Sequence, residues 1–186
     1  DMRTARSIAA RMFGSAPFIC MAPGSVWATK RWIPEGFATV ARILADDIGV
    51  LLVGGPDDRA LCEGIQAAAD VPGVVSVAGT LTLLESAALI GLASLVISND
   101  SAPVHLASAM GTPVVEIYGA TSPSFGFTPF GVPHELVQTD GLSCRPCAIH
   151  GGEACPIRTF ACMRTLAPEV VINAARRLLS GTGVRA

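Results

Sequence analysis

Short apolar runs, rich in Val, Ile and Leu and bounded by Gly, Pro or Asp, recur along the chain at 18–22, 50–53, 74–78, 95–98, 114–118 and, more weakly, 135–138. Continuous runs of this length predict strands buried on both faces, as in a parallel sheet. Around and between them the apolar residues take helical spacing: 3–13, 35–47 after Pro34, 58–69, 83–92 after Thr82, 102–110 ended by Gly111, and 168–179. A strand that returns parallel to its neighbour needs a crossover, and this alternation supplies one. The predicted architecture is therefore α/β, a Rossmann-like parallel sheet with helices on both faces, in a single domain over 1–186. Open sheets of this kind bind ligands beyond the carboxyl ends of their strands, so the loops 23–33, 54–57, 79–82, 99–103 and 119–130 are predicted to line one rim. Only 141–164 breaks the pattern, with no periodicity, four Cys, three Gly and two Pro. A loop longer than about 15 residues in a compact domain needs a cross-link or a function.

Composition narrows the classes. With 51% apolar and 15% charged residues the chain can bury a sizeable core, which excludes disorder. A net charge of −2 leaves no positive field for a polyanion, so no nucleic-acid partner is expected. The most apolar stretch, 87–97, falls short of the ~18 residues a membrane helix needs, and the start lacks a signal-peptide core. A soluble, cytoplasmic protein with at most peripheral membrane association is expected, located in the cytoplasm or at the inner face of the inner membrane. Six Cys in 186 residues are too few for a disulfide scaffold, and Cys20 and Cys62 stand apart in apolar surroundings, which points to a reducing compartment. Lys30 is the only Lys among 13 basic residues.

Candidate chemistry sits on the predicted rim. After the first strand, Gly24 permits close backbone approach, Ser25 and Thr29 bring hydroxyls, and Lys30 and Arg31 bring charge. This combination suits a phosphate, although the three-glycine dinucleotide fingerprint and the P-loop are both absent; the alternative is a solvated loop around a packed Trp32. The segment Asn99-Asp-Ser-Ala-Pro-Val-His turns the fourth strand into a helix whose free N–H groups make an anion site. A carboxylate there repels phosphate unless Lys30 or a metal offsets it, so Asp100 accepts hydrogen bonds from sugar hydroxyls or caps the helix. His105, one turn on, reads by itself as a core histidine. Asp57 and Asp58 crown the next helix and either hold ribose hydroxyls or serve its dipole. Cys144, Cys147, Cys155 and Cys162 follow Cys-x2-Cys-x7-Cys-x6-Cys, where structural Zn, an iron–sulfur cluster, disulfides and buried thiols all remain open, with His150 as a substitute ligand.

Taken together, Ala-Pro-Gly-Ser…Thr-Lys-Arg-Trp, Leu-Val-Gly-Gly-Pro-Asp-Asp, Ser-Asn-Asp-Ser-Ala-Pro-Val-His…Tyr-Gly-Ala-Thr-Ser-Pro and Cys-Arg-Pro-Cys…Cys-Pro…Cys-Met-Arg resemble the C-terminal half of ADP-heptose:lipopolysaccharide heptosyltransferases of glycosyltransferase family 9, nearest the heptosyltransferase II branch. The resemblance runs over 18–179. It implies the donor-binding half of a two-domain GT-B enzyme, with ADP-heptose as donor and the lipopolysaccharide core as an acceptor bound through an N-terminal domain absent from this chain.

On that resemblance Lys30 contacts the donor diphosphate, aided by Ser25 and Thr29. Asp100 and the N–H groups of Ser101 and Ala102 meet the diphosphate and heptose, and His105 lies within the matched motif as a further substrate-binding residue. Asp57 or Asp58 takes the ribose hydroxyls, and the backbone of Leu81 faces adenine. Family members usually carry Gly where this chain has Ala102, which narrows backbone freedom at the phosphate. The implied reaction is inverting heptose transfer, with Lys30 and the helix N-terminus stabilising the departing diphosphate, no cofactor needed for catalysis, and the general base on the N-terminal half. Two rival readings are a GT-B enzyme or epimerase using a UDP-sugar, and a metal-stabilised interaction module without catalysis.

Overall fold

The computed structural model describes residues 1–181. Six strands form one all-parallel sheet: β1 (Phe18–Ala22), β2 (Gly49–Leu52), β3 (Val74–Ser76), β4 (Val96–Asn99), β5 (Val114–Tyr118) and β6 (His134–Gln138), in the order β3-β2-β1-β4-β5-β6. Register is set by apolar pairs such as Ile19 with Val50, Met21 with Ile97, and Ile97 with Val115. The helices are α1 (Met2–Phe13), α2 (Pro34–Leu44), α3 (Arg59–Ala69), α4 (Leu83–Ile90), α5 (Ala102–Met110), α6 (Ala161–Arg164) and α7 (Pro168–Gly181). Among the described residues no helix is long and apolar enough to cross a membrane.

The continuity of the apolar runs has a direct cause in the two covers. Alternate strand residues, Ile19, Met21, Val50, Leu52, Val115 and Ile117, pack under α2, α3 and α7. The intervening ones, Phe18, Cys20, Ala22, Leu51, Val96 and Val114, pack under α1, α4 and α5. With both faces buried, the central strands are apolar at most positions, with Ser98, Asn99 and Glu116 as buried polar exceptions. Local signals then set the ends. Pro34 opens α2 at a position whose N–H needs no partner. Thr82 and Glu85 form a reciprocal cap at the start of α4, with Thr82 N donating to Glu85 Oε2 at 3.0 Å and Glu85 N donating to Thr82 Oγ1 at 3.2 Å. Gly111 closes α5 with φ +77°.

Where structure and sequence pattern differ, the differences are local. β3 stops at Ser76, whose outward N–H donates to Gln66 Oε1 at 2.9 Å, while Val77 N still donates to Leu52 O at 3.0 Å. Asp58 belongs to a tight 3-10 turn over Pro56–Asp58 that precedes α3. A second such turn, Ala28–Lys30, lies inside the predicted first rim loop, and α6 sits at the end of the Cys-rich loop that periodicity left irregular.

Candidate functional site

The order β3-β2-β1-β4-β5-β6 sends the chain leftward from β1 through α2 and rightward from β4 through α5, onto opposite faces of the sheet. A crevice opens where the two diverge, beyond the carboxyl ends of β1 and β4. Asn99, buried at the end of β4, holds the two loops together: its Nδ2 donates to Pro23 O at 2.7 Å and its Oδ1 accepts from Trp32 N at 3.0 Å. Lys30 ends the 3-10 turn on one side, and Asp100 follows β4 on the other. Their charged groups meet with Nζ 2.8 Å from Oδ2, the side chains only 11% and 4% exposed. Thr121 Oγ1, from the loop after β5, donates to the same carboxylate oxygen at 2.5 Å. The second carboxylate oxygen makes no hydrogen bond among the described residues.

Beside this pair begins α5. Ser101 occupies its N-cap position but turns its hydroxyl to Gly24 O at 3.3 Å, so the first N–H groups of the helix, including that of exposed Ala102, are not capped by a side chain. An uncapped helix start next to a largely buried ammonium group is a site for an anion. Asp100 offsets Lys30, which keeps the crevice from holding a bare buried charge. The arrangement can therefore exchange a protein carboxylate for ligand oxygens at one ammonium group.

The remaining predicted residues fall on the same rim with different assignments. Asp58 Oδ2 accepts from Gly55 N at 2.9 Å, and its carboxylate lies so close to the Gly24 Cα that a side chain at Gly24 would collide with it. Asp57 faces solvent next to it. Leu81 packs its side chain against the core under α1 and α4, in a loop tied to the Asp58 turn by Gly79 N to Gly54 O at 2.9 Å and Arg59 Nη2 to Gly79 O at 2.9 Å. Ser25 sits half-buried, its carbonyl taken by Arg31 Nε at 2.6 Å. Thr29 is buried and its hydroxyl is already engaged with Gly152, accepting from N at 2.8 Å and lying 3.0 Å from O. His105 is exposed on α5 with no partner among the described residues, so the core-histidine reading does not hold.

The four clustered Cys occupy one loop as free thiols, Cys162 buried, Cys144 and Cys155 half-buried and Cys147 exposed. Backbone N–H groups of residues 157–160 converge on Cys155, with Phe160 N 3.4 Å from its sulfur, and this lowers the thiol's pKa. Burial and the neighbouring Cys144 and Cys155 raise that of Cys147. The donor chemistry suits a thiophilic metal, but among the described residues no three His, Cys, Asp or Glu side chains are gathered to hold an ion. Cys20 and Cys62 are buried core thiols, and burial pushes Cys62 up to about 12.

One residue of the site had no signal in the apolar pattern. Glu116 stands in the middle of β5, fully buried, its two carboxyl oxygens without a hydrogen bond, as is the Tyr118 hydroxyl two residues on. Burial first, and then the charge of Asp100, push its carboxyl up to about 8, with Tyr118 and Lys30 acting in the opposite direction. The group is thus protonated in the folded chain near neutrality and ionised in the unfolded one. A carboxyl whose folded pKa is raised leaves stability intact below its ordinary pKa of 4.5, and stability is lost as pH rises from there toward about 8. Glu116→Gln is expected to remove this loss, on the order of 4 kcal/mol at pH 8. Urea unfolding at pH 4.5, 6 and 8 measures it; a parent and variant whose stabilities run parallel across that range would contradict the assignment.

Comparison with known proteins bears on this crevice. A family model described as glycosyltransferase family 9 (heptosyltransferase) matches residues 2–153. The chain is 30% identical over 164 residues to a lipooligosaccharide heptosyltransferase 2 of Campylobacter jejuni, an overlap that takes in 86% of this chain and 50% of that protein. It superposes on the ADP-heptose lipopolysaccharide heptosyltransferase II of E. coli with a TM-score of 0.80 at 23% identity, covering 98% of this chain and 53% of that one. It also superposes on TibC, an iron-containing dodecameric glycosyltransferase of enterotoxigenic E. coli, with a TM-score of 0.67 at 22% identity, covering 90% and 46%. These structural likenesses show the fold, that of one half of a GT-B glycosyltransferase, and the chain spans about half the length of the first of these relatives. With the family's sequence pattern running from α1 into the Cys-rich loop, through both loops that build the Lys30–Asp100 crevice, the chain belongs to glycosyltransferase family 9, the heptosyltransferases.

Proposed function

We propose that the chain is the donor-binding half of an inverting heptosyltransferase, which holds ADP-heptose while the heptose passes to the lipopolysaccharide inner core. The observation that carries this reading is the ion pair of Lys30 with Asp100 beside the uncapped start of α5, at the sheet's switch point. In this reading the diphosphate lies across the α5 N-terminus and takes Lys30 as counter-charge. Asp100, released in part from Lys30 and steadied by Thr121, accepts a sugar hydroxyl. Asp58 or its neighbour Asp57 receives the ribose hydroxyls, and the loop at Leu81, tied to the Asp58 turn, faces the base. As the glycosidic bond breaks, negative charge grows on the departing ADP, where a fixed ammonium group and helix N–H groups stabilise it more than they stabilise the bound donor. The acceptor and the base that deprotonates it belong to the other half of the enzyme, outside these 186 residues.

Nucleotide competition tests the reading. Calorimetric titration is expected to show ADP bound more tightly than UDP. Preference for UDP would move the chain to a UDP-sugar enzyme, and metal content without nucleotide affinity would reduce it to an interaction module.

The Cys-rich loop is proposed to hold a structural Zn or an iron–sulfur cluster through Cys144, Cys147, Cys155 and Cys162. Support comes from four thiols in one loop and the N–H groups around Cys155, an environment that favours thiolate. Purified without chelator, the protein is expected to carry about one equivalent of Zn, or iron with sulfide, and Cys144→Ser is expected to lower both metal content and melting temperature. Metal-free protein with titratable thiols at all four positions would leave the loop to packing alone.

A further inference from the structure

The Cys-rich loop grips the crevice at two separate points. At the first, Thr29 N donates to Gly152 O at 3.0 Å and Gly152 N donates to Thr29 Oγ1 at 2.8 Å, beside the residue that carries the ammonium group. Gly151, at φ +85°, lies directly on the Lys30 stem, and a Cβ there would stand 2.9 Å from Lys30 Cγ. At the second, Cys147 N donates to Ala120 O at 2.7 Å, and Arg145 reaches past it. The Arg145 guanidinium makes no ion pair among the described residues. It spans two main-chain carbonyls instead, Nη2 to Thr121 O at 2.8 Å and Nη1 to Thr139 O at 3.2 Å. Thr121 is the residue whose hydroxyl holds Asp100.

We propose that Arg145 is a positioning residue for the donor site: by forking the Thr121 and Thr139 carbonyls it fixes the loop after β5, and through the Thr121 hydroxyl it sets the orientation of Asp100 against Lys30. This rests on the reading that Lys30 and Asp100 receive the donor. The physical need is plain. Thr121 lies in an irregular segment between β5 and β6, without a ladder to hold it, yet its hydroxyl must meet one carboxylate oxygen within a few tenths of an ångström. Arg suits this task better than Lys, because a planar fork fixes two acceptors relative to each other and an ammonium group cannot. The same contacts give the unusual loop 141–164 a role in the chemistry of the crevice that is separate from whatever its sulfurs bind.

The test is a double-mutant cycle on ADP affinity in the 186-residue chain, with melting temperature measured alongside. Arg145→Ala is expected to weaken ADP binding about tenfold, and Arg145→Lys by less, while each remains folded. Thr121→Val weakens binding by itself, and in that background Arg145→Ala or Arg145→Lys is expected to cost nothing further, because Arg145 acts through Thr121. If Arg145→Ala does not fold, the cycle with Arg145→Lys carries the same test. Three results would overturn the proposal. ADP affinity could be unchanged in the Arg145 variants while Lys30→Ala loses it, which overturns this proposal and leaves the donor reading standing. The effects of Arg145 and Thr121 could multiply independently, which makes Arg145 a general support of the fold. The parent chain could fail to bind ADP at all, which removes the donor reading and this proposal together.

Discussion

Lys30→Ala is expected to weaken ADP binding and, in the enzyme with both halves present, to lower turnover by about 10²-fold or more, the scale for loss of one preorganised charge donor. Lys30 is the only Lys in the chain, its ammonium group is 2.8 Å from Asp100, and the side chain is 11% exposed, so water replaces it poorly. The same substitution leaves Asp100, 4% exposed, without its counter-charge, and removing one partner of a buried pair costs about 3–5 kcal/mol. Stability and function are separated by the double variant Lys30→Ala with Asp100→Asn. It restores a neutral crevice and is expected to fold near the parent's stability, yet it still binds ADP weakly. Folded Lys30→Ala protein that binds ADP and turns over like the parent would place the diphosphate elsewhere.

The second large effect is an absence of turnover. These 186 residues are expected to bind ADP or ADP-heptose and to transfer no measurable heptose to a lipopolysaccharide acceptor, with transfer returning once the N-terminal half is supplied. Inverting transfer needs the acceptor hydroxyl in line with the anomeric carbon and a base within about 3 Å of it, and such positioning accounts for several kcal/mol of the barrier. The carboxylates on this rim are committed. Asp100 is engaged by Lys30 and Thr121, and Asp58 by the Gly55 N–H. Asp57 is assigned with Asp58 to the ribose, and Glu116 is fully buried in β5 beneath the crevice. None of these is left for the acceptor. Mass-detected transfer by the chain and by the two-half enzyme, run side by side, decides it, and robust turnover by the chain alone would overturn the assignment of the base to the other half.

The amino-acid sequence was enough to determine the sheet, its helices and the rim on which the chemistry lies. Strands buried on both faces are apolar at nearly every position, so β1 is legible residue by residue and β5 at all but Glu116, and Pro34, Thr82 and Gly111 mark helix ends through the local backbone chemistry of proline, a capping hydroxyl and a left-handed turn. The loops at Lys30, Asp58, Leu81 and Asp100 follow, because the carboxyl ends of parallel strands share one edge. Even the oddity of the Cys-rich loop shows as a loss of periodicity.

Tertiary structure alone decided which of those rim residues touch. That Asp100 faces Lys30 and not a helix cap, that Thr29 spends its hydroxyl on Gly152, 123 positions away, and that His105 points to solvent are outcomes of long-range packing. No local spacing encodes them. Glu116 escaped notice because one polar residue inside an apolar strand leaves the pattern intact, and its raised pKa comes first from the exclusion of water and then from the closeness of Asp100, neither of which a linear pattern contains. Arg145 escaped for the complementary reason: in a loop without periodicity an Arg carries no expectation, and its meaning comes only from the two carbonyls that the fold brings within reach of its fork.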